Sequence, residues 1–162
     1  MAQAAISAHI ARAAIFQGLS SAQIDRISHG SERVLFQPGD DIAVQGEISD
    51  KAILIVEGEI DCVAGVGADA ELDGDQGGKM LGEMAMFIDD FEHPASFKAR
   101  NHTKALLINR QEMLKELAED PEMTDHLVQR VTSRLHGLIG QMRKIEAQVS
   151  DETDNLVPIQ GN

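Results

Sequence analysis

The chain lacks the residues and segments that mark several common classes of protein. It has one cysteine, Cys62, no tryptophan, no tyrosine and only five phenylalanines among 162 residues. A single cysteine cannot form an internal disulfide, which fits a reducing cytoplasm. So few aromatic rings argue against a protein that binds nucleic acid by stacking bases. No apolar run approaches the roughly 20 residues that span a bilayer, and the first residues lack the basic region of a signal peptide.

Basic residues are also scarce. Lysine and arginine total 14, aspartate and glutamate total 27, and the formal net charge is -13. A phosphate backbone is repelled by such a balance, so we expect no nucleic-acid partner. Hydrophobic residues make up 43% of the chain and charged residues 25%, which is ordinary for a globular protein and excludes global disorder.

Predicted helices at both ends of the chain enclose a strand-rich middle. Apolar spacing predicts a short helix over residues 2–14, and Ser20 with Gln23 has the spacing of a capping box, which starts a second helix that stops at Gly30. Short apolar runs between glycine- and proline-rich turns predict strands at 34–36, 42–44, 52–56, 59–63, 95–99 and 103–108. Many short strands favour a sandwich or barrel over a parallel sheet. From Arg110 the pattern is helical, with a break at Pro121.

The long C-terminal helix carries a narrow apolar seam. Its residues alternate spacings of four and three, as in a heptad repeat. Such a seam packs well against a second helix like itself, so we predict a coiled-coil homodimer through about residues 123–149. The seam residues are Val131, Leu135, Leu138, Met142, Ile145 and Val149.

Four short motifs occur in a recognisable order: Pro38-Gly39, Gln45-Gly46-Glu47, Glu57-Gly58-Glu59 and Gly82-Glu83-Met84-Ala85. With them the chain resembles a cyclic-nucleotide-binding domain, of the kind found in the bacterial catabolite activator protein and in regulatory subunits of protein kinase A. The resemblance covers about residues 16–149. It implies an α+β fold that is mainly β: an eight-stranded antiparallel β-roll, or jelly roll, with N-terminal helices and a long C-terminal helix.

The resemblance also divides the chain. We expect N-terminal helices in residues 1–31 and a β-roll in residues 32–109, with a phosphate-cassette-like segment at 82–96. C-terminal helices are expected in 110–149, and a flexible acidic tail in 150–162.

The ligand site implied by the resemblance departs from the family pattern. In binders of the family a glutamate, here Glu83, accepts from the ribose 2'-hydroxyl, and an arginine neutralises the phosphate. By the catabolite-activator spacing His93 takes the place of that arginine, and Pro94 follows without an N–H to donate. Histidine lacks the permanent charge and planar fork of arginine, so we expect weak or absent binding of cyclic AMP by the usual mode. The implied site residues are Gly82, Glu83, Met84, Ala85, His93, Pro94, Ala95 and Ser96.

Other charged groups offer rival sites. Lys98, Arg100 and Lys104 could replace the missing arginine, although a solvated strand face is the favoured interpretation of these cations. A run of acids resembles the start of a calcium loop, but its twelfth position is Met80 rather than glutamate, so we predict a solvated loop and no metal site. The acids and the glycine at the sixth position are Asp69, Glu71, Asp73, Gly74 and Asp75.

The sequence leaves two functions open. The first is a stand-alone regulatory module that binds a small ligand, such as cyclic AMP or cyclic GMP, and passes the signal to an unknown effector protein. The second is an interaction or assembly protein that uses the roll as a scaffold and the C-terminal helix for oligomerisation. No catalytic motif is evident, so we expect no enzymatic activity. We also expect no helix-turn-helix after the long helix.

Overall fold

The computed structural model describes residues 3–65, 72 and 74–154. Two helices come first: α1 (Gln3–Arg12) and, after a 3-10 turn at Ala14–Phe16, α2 (Ser21–His29). Two more follow the strands: α3 (Arg110–Glu119) and α4 (Pro121–Asp154). The strands between them are β1 (Ser31–Phe36), β2 (Asp41–Ala43), β3 (Ile48–Ser49), β4 (Lys51–Glu57), β5 (Ile60–Gly65), β6 (Met80–Leu81), β7 (Phe91–Glu92), β8 (Ala95–Ala99) and β9 (Thr103–Asn109).

All the described strand pairs are antiparallel, and they form three small sheets. The strand orders are β1-β9-β4-β6, β2-β8-β5 and β3-β7. The predicted α+β fold with antiparallel strands, N-terminal helices and a long C-terminal helix is therefore confirmed. The strands β3, β6 and β7 were not predicted, because two residues are too few to show an alternating pattern.

The core lies inside the roll and under the first helix. Residues 52–56 of β4 are all buried, because β4 lies inside its sheet and also contacts α1. Inside the roll it packs with a cluster that includes Ile42, Ile60 and Leu81. Fully burying one such side chain contributes roughly 1.5–3 kcal/mol, so this apolar cluster fixes the strands that carry the site.

Side-chain caps set where the helices start. The predicted capping box of α2 is present: Gln23 N donates to Ser20 Oγ at 3.2 Å, and Ser20 N donates to Gln23 Oε1 at 2.9 Å. Asn109 caps α3 by accepting from Gln111 N at 2.8 Å. Each cap stabilises its helix by roughly 1 kcal/mol, so the junction between β9 and α3 is well defined.

The last helix, α4, has 34 residues and is about 50 Å long. It begins at Pro121 and continues past the predicted end at Val149 to Asp154. The predicted flexible tail, residues 150–162, overlaps this helix, because residues 150–154 form its last turn; residues 155–162 lie outside the described residues. The chain divides into two compact units, Met1–Thr124 and Asp125–Asn162. No helix in the described part is both long and apolar enough to cross a membrane.

Candidate functional site

The first four predicted site residues, Gly82 to Ala85, lie directly after β6. Gly82 has φ +62° and ψ +38°, a left-handed conformation that glycine adopts without strain. A 3-10 helix, Glu83–Met86, follows, and Ala85 N donates to Gly82 O at 2.9 Å. Ala85 and Met86 are fully buried, whereas Glu83 and Met84 are partly exposed. We call residues 82–90 the cassette.

His93 follows β7 and is held by the backbone of the turn before β3. Its N–H donates to Glu47 O at 3.0 Å, and its carbonyl accepts from Gly46 N at 2.9 Å. The side chain is only 7% exposed. Its ring meets Phe91 edge to face, with centroids 5.7 Å apart. The backbone and the ring of His93 are therefore both fixed.

The imidazole of His93 packs directly against the first residue of the cassette. A β-carbon built on Gly82 would lie 2.8 Å from His93 Cε1 and 3.1 Å from Nδ1. Real β-carbons essentially never lie as close as 2.8 Å to another heavy atom, so only glycine fits at position 82 while the ring holds this position. The structure thus brings two predicted site residues together, because the buried ring of His93 packs against the first residue of the cassette. We call this arrangement the closed cassette.

Burial also decides the charge of His93. Loss of water around the ring lowers the pKa of His93, and the nearby Glu47 carboxylate opposes that effect only partly. The ring is therefore neutral at pH 7. A neutral, buried imidazole gives no positive charge with which to balance a cyclic phosphate.

The lowered pKa of His93 predicts a loss of stability in mild acid. In the unfolded chain a histidine titrates near about pH 6.5, so the unfolded state takes up the proton first as the pH falls. The free energy of unfolding should be highest above that value and should decline below it, by at most about 1.4 kcal/mol per pH unit for one proton. Urea unfolding of the parent and of His93→Gln between about pH 5 and 8 measures the difference.

The control for this prediction is His102→Gln, which replaces an exposed histidine of the same domain. It should retain the pH dependence of the parent, whereas His93→Gln should flatten it. Equal slopes for His93→Gln and the parent would show that burial of the ring does not affect its titration.

The remaining predicted site residues belong to the start of β8 and the residue before it. Pro94 is exposed, and Ala95 is buried opposite Gly65 of β5. The hydroxyl of Ser96 accepts from Gln45 N at 2.8 Å. These residues join neighbouring strands, and Pro94 supplies no N–H for a ligand.

The three cations considered as replacements for the arginine are engaged elsewhere. Each forms an ion pair with a carboxylate on a neighbouring strand, at the surface of the roll. The hydrogen bond from Arg100 is the largest cause of the lowered pKa of Asp61. This supports the interpretation of a solvated strand face. The pairs are Lys98 Nζ to Asp41 Oδ1 at 2.9 Å, Lys104 Nζ to Glu57 Oε2 at 2.9 Å, and Arg100 Nε to Asp61 Oδ1 at 3.0 Å.

No metal site is evident in the part of the chain that the structure describes, since no group of three or more His, Cys, Asp or Glu side chains there could hold an ion. Of the calcium-like run, Asp69, Glu71 and Asp73 lie outside the described residues. Asp75 instead accepts from two backbone groups, Gly77 N at 2.7 Å and Gly58 N at 3.3 Å.

Arg110 contacts the end of the cassette, and the sequence analysis did not single it out. It donates from Nη1 to Ile88 O at 2.8 Å and pairs through Nη2 with Asp89 Oδ1 at 3.1 Å. Its backbone N–H donates to Asp50 O at 2.8 Å. One feature of the sequence could have indicated its position: Asn109 is a good helix cap, and it caps α3, so that Arg110 is the first residue of that helix.

The predicted seam on α4 is largely exposed in the single chain. Val131 is partly buried, whereas the other five seam residues are each more than half exposed, up to 67% for Met142. Val128, which is 57% exposed, extends the same spacing by one step toward the N-terminus. This row of large apolar side chains spans about 30 Å of helix and is exposed to solvent in the single chain.

A family model described as "Cyclic nucleotide-binding domain" matches residues 33–120, more than half of the chain. The match covers the roll, the cassette and α3. No curated protein matches the chain.

Solved structures show the same fold at low sequence identity. The N-terminal domain of a transcriptional regulator from Streptomyces coelicolor A3(2) is 20% identical, with a TM-score of 0.72, over 95% of this chain and 99% of that one. The sensor domain of the transcriptional regulator DNR from Pseudomonas aeruginosa is 17% identical, with a TM-score of 0.62, over 98% of each chain. The catabolite activator protein of Thermus thermophilus is 23% identical, with a TM-score of 0.65, over 83% of this chain and 63% of that one.

Proposed function

Because this chain belongs to the cyclic nucleotide-binding domain family, we propose that it is a non-enzymatic regulatory module that forms a homodimer and acts on an effector protein. In this proposal its cassette does not hold a cyclic phosphate in the family's usual way. The observation that carries the proposal is the buried ring of His93 against Gly82.

The chemistry of the cassette supports this loss of the usual binding mode. A cyclic phosphate keeps its negative charge at pH 7, and burying it needs a paired cation with good hydrogen bonds. His93 is neutral, and Lys98, Arg100 and Lys104 each face a carboxylate. Removing one partner of a buried charge pair costs roughly 2–5 kcal/mol, which corresponds to a loss of affinity of roughly 30-fold to 5,000-fold.

The exposed seam of α4 supports the homodimer. A second copy carries the same seam, and a two-fold axis matches apolar residue to apolar residue along it. In a parallel pair of helices, a residue that flanks the seam faces the residue five positions later on the second copy. Arg134 would then face Ile139, and Gln141 would face Glu146. Neither pair brings like charges together. The occupant we propose for this surface is therefore a second copy of the chain.

A second function is favoured by the shape of the cassette. Gly82 adopts the tight left-handed turn, and Glu83 is partly exposed, so a sugar hydroxyl has an acceptor within reach of solvent. A small-ligand sensor would use Glu83 and bind a cyclic nucleotide, such as cyclic AMP or cyclic GMP, without an arginine. The two functions differ in whether such a ligand binds.

The deciding experiment is a thermal-shift measurement with cyclic AMP and cyclic GMP at about 100 µM. We expect the melting temperature to rise by less than about 1 °C. A site with a Kd near 1 µM would add about 2.7 kcal/mol at that concentration, which raises the melting temperature of a domain of this size by several degrees. A shift that large would favour the sensor and contradict the closed cassette.

A further inference from the structure

The end of the cassette, residues 88–90, has little buried surface to hold it in place. Ile88, Asp89 and Asp90 are exposed, so burial of apolar surface contributes little to their placement. Asp90 has φ +54° and is the non-glycine residue with positive φ in the described chain. A residue in that conformation persists when its surroundings hold it there.

The side chain of Arg110 holds the end of the cassette in place through two polar contacts. Its guanidinium donates to the carbonyl of Ile88 and pairs with the carboxylate of Asp89, at 2.8 and 3.1 Å. The Arg110 side chain is only 23% exposed, whereas that of Asp89 is 87% exposed. Both contacts are charge-assisted, and the bond to the carbonyl is the shorter of the two.

The same residue is the first of α3. Its backbone N–H is held by Asp50 O at 2.8 Å, and Asn109 caps the helix just before it. One turn further along, Met113 is 2% exposed, and α3 contacts the 3-10 helix of the cassette. A displacement of residues 88–89 therefore acts directly on the first turn of α3.

We propose that Arg110 is the positioning residue that holds the cassette closed and couples it to α3. When the Arg110 contacts are lost, the cassette opens and the first turn of α3 loosens with it. This inference deepens the proposed regulatory function, since it names the path by which a change at the cassette reaches the helices.

Hydrogen–deuterium exchange of the full chain without ligand tests the coupling. We expect Arg110→Met to raise exchange at least about tenfold in peptides covering 82–93 and 110–116. Peptides from β4 and β8 should exchange as in the parent. Arg110→Lys keeps the charge but not the two-pronged guanidinium, so it should give a smaller increase in the same two segments. It also serves as the test variant if Arg110→Met does not fold.

The matched control is Lys98→Met, which removes another ion-paired surface cation and should leave the cassette unchanged. The proposal is wrong if exchange in 82–93 does not rise in Arg110→Met. It is also wrong if exchange in α3 stays unchanged while exchange in the cassette rises. An equal rise of exchange in β4 would likewise contradict it, because Arg110 would then stabilise the whole domain. No ligand and no effector enters the measurement, so its failure is distinct from a failure of the proposed function.

Discussion

Replacing His93 with arginine and Pro94 with serine is expected to create or strengthen cyclic AMP binding. The guanidinium returns a permanent charge and two parallel donors to the cassette, and serine returns a backbone N–H beside them. A charge-assisted contact of this kind is worth roughly 2–5 kcal/mol, so affinity should rise at least about tenfold. Isothermal calorimetry at pH 7 measures it.

A variant with His93→Gln and Pro94→Ser is the control for that experiment. It removes the ring and restores the N–H without adding charge, so it should bind far more weakly than the arginine variant. If the arginine variant folds and shows no gain, the cassette is closed by more than these two residues. Met80 and Met84, both partly exposed next to the site, would then be the next positions to change, since Met86 is part of the core.

Placing aspartate at Leu138 and Met142 is expected to halve the mass of the protein in solution. The parent should scatter light as a particle near twice 17.6 kDa at tens of micromolar. The two added charges lie at the middle of the exposed seam, where pairing would bury them without partners at a cost of several kcal/mol. The variant should therefore be a monomer whose roll melts as in the parent.

The matched control carries the same two charges off the seam. Ser133→Asp with Ala147→Asp adds them on the opposite face of α4, where both residues are exposed, and should leave the dimer intact. A parent that is already monomeric would contradict the dimer. Equal dissociation in both variants would instead indicate that charge on α4, rather than the seam, controls assembly.

Local signals predicted most of the regular structure. The capping residues Ser20 and Gln23 fixed the start of α2, and the apolar runs at 52–56 and 95–99 became β4 and β8. In these elements the residues of the segment itself determine whether it forms a helix or a strand. The short strands β3 and β7 are different, because residues 48–49 and 91–92 gain their strand geometry from each other across the roll.

The candidate site shows the same division. The motif beginning at Gly82 predicted where the cassette begins, and Gly82 has the left-handed conformation that glycine adopts without strain. The family spacing placed His93 in the same site as Gly82, but it did not predict that the ring would pack against the glycine. The contact from Arg110 to Ile88 joins residues 22 positions apart, and it depends on how the strands and α3 come together.

The close fit between Gly82 and His93 has an evolutionary consequence. Because the ring occupies the space that a β-carbon at 82 would need, neither position can change freely while the other stays as it is. Among related chains the two positions should therefore covary, with a side chain at 82 appearing only where the residue at 93 is smaller or turned outward. Residue 82 also has a left-handed φ, and among residues other than glycine, asparagine and aspartate adopt that conformation most readily. We therefore expect these two residues most often where Gly82 is replaced. Paired changes at these positions would identify related chains in which residue 93 no longer packs against residue 82.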